Sequence, residues 1–198
     1  MDLWELENEL YAQGYGLVCG VDEAGRGPLA GPVCAAAVIL PRGLEIAGLD
    51  DSKKLSEKKR ERLYDEIRQK ALHCAAAFAS VEEIEGLNIL QATFLAMNRA
   101  IAALGVRADL ALIDGNRCTG IEIPARAVVK GDGRCADIAA ASVLAKVTRD
   151  RYMIGQAEKY PQYGFEKHKG YGTKAHYEAI RAYGPCPLHR PSFLRKMH

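Results

Sequence analysis

No apolar run in the chain approaches the roughly 20 residues needed to cross a membrane. Nor does a basic-then-apolar segment open it. From those two absences a cytoplasmic protein is expected. The six cysteines (Cys19, Cys34, Cys74, Cys118, Cys135 and Cys186) include no CxxC pair and no zinc-ligand spacing, so reduced thiols and no structural zinc are expected. Cys19 and Cys34 fall within apolar runs, where a thiol behaves as a small hydrophobe. There is no P-loop lysine motif, no Ser–His or Cys–His nucleophile signature, no internal repeat and no low-complexity linker. The single tryptophan, Trp4, lies in a short helical pattern (Leu3, Leu6, Leu10, Tyr11) and is expected to anchor that helix on the body rather than to stack on a base.

What remains is a chain of 198 residues, 48% hydrophobic, long enough for one large domain or one domain with a smaller appendage. The reading is a body over residues 1–155 and a basic helical extension over 156–198. The formal net charge of +2 conceals an uneven distribution. Residues 145–198 hold 11 Lys/Arg and 4 Asp/Glu, a balance of +7, which leaves residues 1–144 at −5. An acidic front that could hold a metal, followed by a basic rear, suggests a polyanionic substrate.

Residues 17–40, LVCGVDEAGRGPLAGPVCAAAVIL, organise the rest. An apolar strand ends on Asp22 and Glu23, a glycine-rich turn (Gly25, Arg26, Gly27) follows, and a second apolar strand returns from Val33 to Leu40. Strand alternation would send Asp22 and Glu23 to opposite faces, so both can serve one site only where the strand ends. Further on, Ser56 is a candidate N-cap for a helix to about Leu72, and residues 73–79 form a third strand. Ser80 with Glu83, and Asn88 with Gln91, match capping boxes. Leu90, Phe94, Met97, Ile101 and Leu104 then mark a helical core stripe. A strand over 108–113 ends at Asp114, another over 125–130 leads into Gly131-Asp132-Gly133, and an alanine-rich helix covers 136–152. Thr173 caps a final helix through Tyr183, and residues 184–198 read as an irregular wrap. Three strand ends thus carry acids, each followed by glycine within two or three residues. Hard oxygen ligands of this kind suit Mg²⁺ or Mn²⁺, and two such ions could activate a water against a phosphodiester.

These residues resemble a known family. Asp22-Glu23-Ala24-Gly25-Arg26-Gly27-Pro28-Leu29-Ala30-Gly31-Pro32-Val33 is similar to the signature of type 2 ribonuclease H in its bacterial form, ribonuclease HII. The likeness continues through residues 51–56, 112–116, 129–132, 138–150 and 168–171, in the family's order and across nearly the whole chain. The resemblance implies an α/β fold, an RNase H-like mixed sheet flanked by helices, with a small helical C-terminal extension. It implies a metal-dependent endonuclease that cuts the RNA strand of RNA–DNA hybrids and nicks DNA 5′ to an embedded ribonucleotide, leaving 3′-hydroxyl and 5′-phosphate ends. Carried over by residue, Asp22, Glu23, Asp114 and Asp132 match the family's four acids, catalytic and metal-binding, holding Mn²⁺ or Mg²⁺ with two ions in the substrate complex. Gly25, Arg26 and Gly27 match the loop that reads the ribose 2′-hydroxyl. Tyr171 matches the tyrosine that packs on the next deoxyribose. Lys53, Ser142, Lys146, Arg149, His168 and Lys169 are the expected phosphate contacts, which fix register without reading sequence.

Two departures stand out. Asp137 adds a carboxylate five residues after Asp132 and is expected at the surface as a helix-start acid. Pro191 stands where many bacterial relatives carry a second arginine, which puts one phosphate contact in doubt. Ribonuclease HIII shares the fold and acids, but its glycine loop lacks the arginine seen here as Arg26, and its extra N-terminal domain has no room in the approximately 16 residues before the first strand. A catalytically dead nucleic-acid module would need none of the four acids, and a small phosphorylated substrate would not explain the basic rear. A monomer is expected, and a sliding-clamp interaction is left open.

Overall fold

Residues 18–39 fold as the expected pair of strands, β1 (Val18–Ala24) and β2 (Val33–Ile39), antiparallel with Gly20 registered on Val38. The computed structural model describes residues 3–50, 52 and 55–195. A helix α1 (Glu5–Ala12) precedes the strands, and α2 (Glu57–Lys70), capped by the Ser56 hydroxyl, follows them. β3 (His73–Ala79), α3 (Val81–Leu87), α4 (Ile89–Ala102), β4 (Leu110–Asp114) and β5 (Ala125–Val128) come next. The sheet order is β3-β2-β1-β4-β5, with β4 parallel to both β1 and β5 and the other pairs antiparallel. The long helix α5 (Ala136–Lys159), a single turn α6 (Phe165–His168), α7 (Lys174–Tyr183) and a short α8 (Pro191–Leu194) complete the chain.

β2 is buried on both faces, and its side chains divide by alternation. Val33, Ala35, Ala37 and Ile39 join Cys19 and Val21 against Phe94, Met97 and Ile101 of α4. Ala36 and Val38 face the other way, onto Leu63 and Ile67 of α2 and Ala140, Ala141 and Leu144 of α5. Each large aliphatic residue removed from water in these layers is worth roughly 1.5–3 kcal/mol. The alanines of α5 let its axis come close to β1. A Cβ added to Gly20 would stand 2.2 Å from the backbone carbon of Asp137, so glycine is required there by the approach of helix to strand.

The caps behave as their side-chain chemistry dictates. Ser80 and Glu83 make a reciprocal capping box, and Asn88 Oδ1 accepts the N–H groups of Leu90 and Gln91. Trp4 is buried and donates its indole N–H to Leu44 O at 3.0 Å, an anchor as expected. Three outcomes differ from the sequence reading. α5 runs seven residues past Tyr152, to Lys159, so the expected division at 155/156 falls inside a continuous helix. The C-terminal wrap contains α8, and its Arg190 is fully buried. Asp137, expected at the surface, is completely buried: its Oδ1 accepts the Leu40 N–H at 2.8 Å, satisfying the donor left where β2 ends.

Candidate active site

β1 and β4 are parallel neighbours, with Val21 registered on Ile113, so both strands deliver their ends to one edge of the sheet. Val21 and Ile113 face α4. Alternation therefore turns Asp22 and Asp114 together toward α5, and returns Glu23 to the α4 side. Asp132 arrives from the tight turn Gly131–Gly133, which Asp114 Oδ1 secures by accepting the Gly131 N–H at 2.7 Å. Asp22, Asp114 and Asp132 then offer carboxylate oxygens that all lie within 4.8 Å of one another.

Burial pushes the Asp22 carboxyl well above the usual carboxylate range, and the charges of Glu23 and Asp114 push the same way. The Ser142 hydroxyl and the Glu23 N–H, 2.7 Å from Asp22 Oδ1, oppose that shift. Crowded acids of this kind are stabilised by a divalent cation, and an all-carboxylate donor set fits Mg²⁺ or Mn²⁺ rather than zinc. Glu23 stands outside the cluster, where its Oε1 accepts from Arg26 Nη1 at 3.1 Å. With Arg26, Asp114, Asn116 and Arg117 it rims a cavity of about 210 Å³ floored by Leu90, Phe94 and Met97. Strand alternation thus separates the two neighbouring acids, because β1 continues past both of them to Ala24.

The expected nucleic-acid contacts divide. Ser142 is buried beside the acids, with its Oγ 2.8 Å from Ser52 Oγ. Lys146 pairs with Asp150 at 2.7 Å and holds its ammonium 5.6 Å from the ring centre of Tyr171, which is 41% exposed. His168 stacks on His176 at 4.3 Å, and both its ring nitrogens meet backbone groups, Tyr163 O and Gly170 N. Lys169 turns its ammonium onto Glu166 O. Lys53 lies outside the described residues. Lys130 and Lys169 adopt left-handed backbone at φ of 55° and 52°, and each stands two residues before a site residue, Asp132 and Tyr171.

Arg149 corrects the sequence reading. Expected on phosphate, it is fully buried and donates to Pro32 O, Ala30 O and Lys169 O, each at 3.0 Å. Its position on the sheet-facing side of α5 places the guanidinium beneath the Gly25–Pro32 loop instead of in solvent. Gly25, at φ 95°, has no room for a side chain because an added Cβ would lie 1.9 Å from Arg149 Nε. Asn116, Arg117 and Arg190 were missed by the sequence reading. The first two directly follow Asp114-Gly115, a signal that could have nominated them, whereas nothing local marks Arg190.

Solved structures that share this fold include a ribonuclease H2 and an RNase HIII. The ribonuclease H2 of Pyrococcus horikoshii OT3 matches with a TM-score of 0.75 and 26% identity, over 92% of this chain and 97% of its own. An RNase HIII solved in complex with Mn²⁺ shares the fold at a TM-score of 0.69 and 20% identity, over 91% of this chain and 68% of its own. At the level of sequence, the Ribonuclease HII family model matches residues 19–196. A ribonuclease HII of Dechloromonas aromatica is 63% identical over 90% of this chain and 91% of its own, and one of Vibrio campbellii is 61% identical over 92% and 86%. The chain belongs to the ribonuclease HII family. It is therefore a divalent-metal-dependent endoribonuclease that acts on RNA–DNA hybrids.

Proposed function

We propose that this enzyme nicks the RNA strand of hybrids, and DNA at embedded ribonucleotides, on the 5′ side of a ribonucleotide, and that its reaction belongs to ribonucleotide excision repair in the cytoplasm. The observation that carries the reading is the convergence of Asp22, Asp114 and Asp132 within 4.8 Å at one sheet edge. Those three acids, with Glu23 alongside, would hold Mn²⁺ or Mg²⁺, two ions in the substrate complex. When bound, such ions supply an activated water and Lewis-acid stabilisation of the phosphodiester.

The chain's own groups do the rest. Ser142 orients the Asp22 carboxyl, and Asp114 fixes the turn that presents Asp132 through its bond to the Gly131 N–H. The Gly25–Arg26–Gly27 loop lies directly after the two acids of β1, so a ribose held by its amides has its 5′ phosphate beside the metal ligands. Only the 2′-hydroxyl separates the two sugar types, and glycine lets backbone donors reach it unobstructed. Tyr171 supplies an exposed ring for the sugar that follows, with the Lys146 ammonium close enough to meet an adjoining phosphate. His168 and Lys169 support the Tyr171 loop, and Lys53 remains a phosphate contact of this reading. With water attacking the phosphorus and O3′ leaving, the products carry 3′-hydroxyl and 5′-phosphate ends. The enzyme acts as a monomer in this reading.

A labelled DNA duplex carrying one ribonucleotide, incubated with Mg²⁺, Mn²⁺ or EDTA, tests it. A metal-dependent nick immediately 5′ to the ribonucleotide is expected. Cleavage confined to long hybrids would overturn the junction reading, and binding without cleavage in either metal would overturn catalysis.

A further inference from the structure

Two buried arginines from distant parts of the chain grip the same loop. Arg190, in the tail, donates through Nη2 to Gly25 O at 2.7 Å, through Nη1 to Arg26 O at 3.0 Å, and through Nε to Gly31 O at 2.8 Å. Arg149, on α5, takes Ala30 O, Pro32 O and Lys169 O. Both side chains are fully buried. Burial draws the Arg190 guanidinium down to about 9, with Arg149 beside it pulling the same way, which still leaves it charged at neutral pH. Two adjacent buried cations are costly unless carbonyl dipoles surround them, so the loop must keep its oxygens turned inward. In a planar trans peptide the N–H points opposite the C=O. With Gly25 O and Arg26 O held on Arg190, the N–H groups of Arg26 and Gly27 are turned away from the arginine, toward the open side of the loop.

The same network reaches Tyr171. Leu29 donates to Gly170 O at 2.9 Å, Gly31 donates to Leu188 O at 2.7 Å, and Arg190 donates its own amide to Leu29 O at 2.8 Å. The segment 29–31 is thus held between the tail and the loop that carries Tyr171.

We propose that Arg190 and Arg149 are positioning residues for ribonucleotide recognition: they fix which way the Arg26 and Gly27 amides point and hold that loop in register with Tyr171. This rests on the junction-reading role given above to Gly25–Gly27 and Tyr171. The tail is therefore part of the specificity apparatus, and its arginine acts through the loop without touching substrate. Lysine cannot replace either residue, since a single ammonium does not present the planar fork that spans three carbonyls.

The test compares two substrates in Mn²⁺: DNA with one embedded ribonucleotide, and a uniform RNA–DNA hybrid. In a long hybrid every position offers a 2′-hydroxyl and no junction needs to be found. Arg190→Lys is expected to lower kcat/KM on the single-ribonucleotide duplex at least about tenfold more than on the hybrid. Phe193→Leu keeps the guanidinium and removes the ring 5.0 Å from it. It is expected to shift the same ratio in the same direction by a smaller factor, and it serves if Arg190→Lys does not fold. Equal losses on both substrates in a folded variant would mean a merely structural role and overturn the proposal. The wild-type enzyme is the control that separates the two readings. If it fails to nick at a single ribonucleotide, the junction reading falls. If it nicks there and the variants keep its substrate ratio, only the positioning proposal falls.

Discussion

Asp137 and Leu40 meet across 97 residues of sequence, the buried carboxylate of one accepting the amide of the other at 2.8 Å. Its second oxygen, like Oε2 of the equally buried Glu7, has no hydrogen-bond partner among the described residues. Glu7 Oε1 in turn accepts the Asp137 N–H at 3.2 Å and the Cys135 thiol at 3.0 Å. Two acids thus share a buried junction between α1, β2 and the head of α5.

That junction makes stability depend on pH. Burial, and after it the nearby Glu7 charge, raises the Asp137 carboxyl well above the carboxylate range, and burial raises Glu7 likewise. A raised folded-state pKa means stability is fully present below the unfolded value near 4 and is lost as pH rises toward the folded one. Asp137→Asn keeps the acceptor for Leu40 and removes the charge. Its Tm is expected to gain on that of the wild type as pH rises above about 4, read by calorimetry at several pH values. Asp137→Ala also strands the Leu40 amide, and where the wild-type acid is neutral, below about pH 4, it should cost about 1–3 kcal/mol.

His176 gives a dependence of opposite sign. Burial lowers it to about 4, and its Nε2 lies 3.1 Å from His189 Nε2, a contact that needs at least one neutral ring. The unfolded chain takes up the proton first, so this contribution is lost as pH falls from about 6.5 toward 4. Comparing wild type with His176→Asn in urea across that window isolates it. A difference that does not change with pH would show that His176 is not buried neutral.

Asp114→Asn should abolish cleavage, by at least about a hundredfold, since a metal-assisted step carries several kcal/mol of barrier lowering. The asparagine oxygen can still accept the Gly131 N–H, so Tm and hybrid binding are expected to hold. Loss of binding together with cleavage would show that Asp114 does more than hold a cation.

Arg26→Ala removes an exposed ion pair with Glu23, worth about 0–1 kcal/mol, so Tm should barely move. Nicking at a single embedded ribonucleotide should nevertheless weaken several-fold. Unaltered nicking there would dismiss Arg26 from recognition.

Local pattern made most of the fold legible. Residue types that prefer strands and helices stand at the right periods along β1, β2 and α4, and the caps Ser56, Ser80, Asn88 and Thr173 act within three residues of themselves. The acids were legible as residues just before glycine turns, although β1 continues through Asp22 and Glu23 to Ala24 and Asp132 stands in a turn past β5. The fates of Arg149 and Asp137 were not, since a charged residue on a helix looks the same whether it faces solvent or a neighbouring loop.

The sequence by itself determined the order of the strands and of the longer helices, the acids that stand just before glycine turns, and the family. Only the tertiary structure decided that Asp22 and Asp114 share a face while Glu23 does not, and that Arg149 and Arg190 spend their charge on loop carbonyls. The physical reason is range. Propensity, capping and turn chemistry act between residues close in sequence, whereas burial and charge compensation depend on which surfaces meet. Arg190 finds Gly25 from 165 residues away, and no local signal encodes that distance.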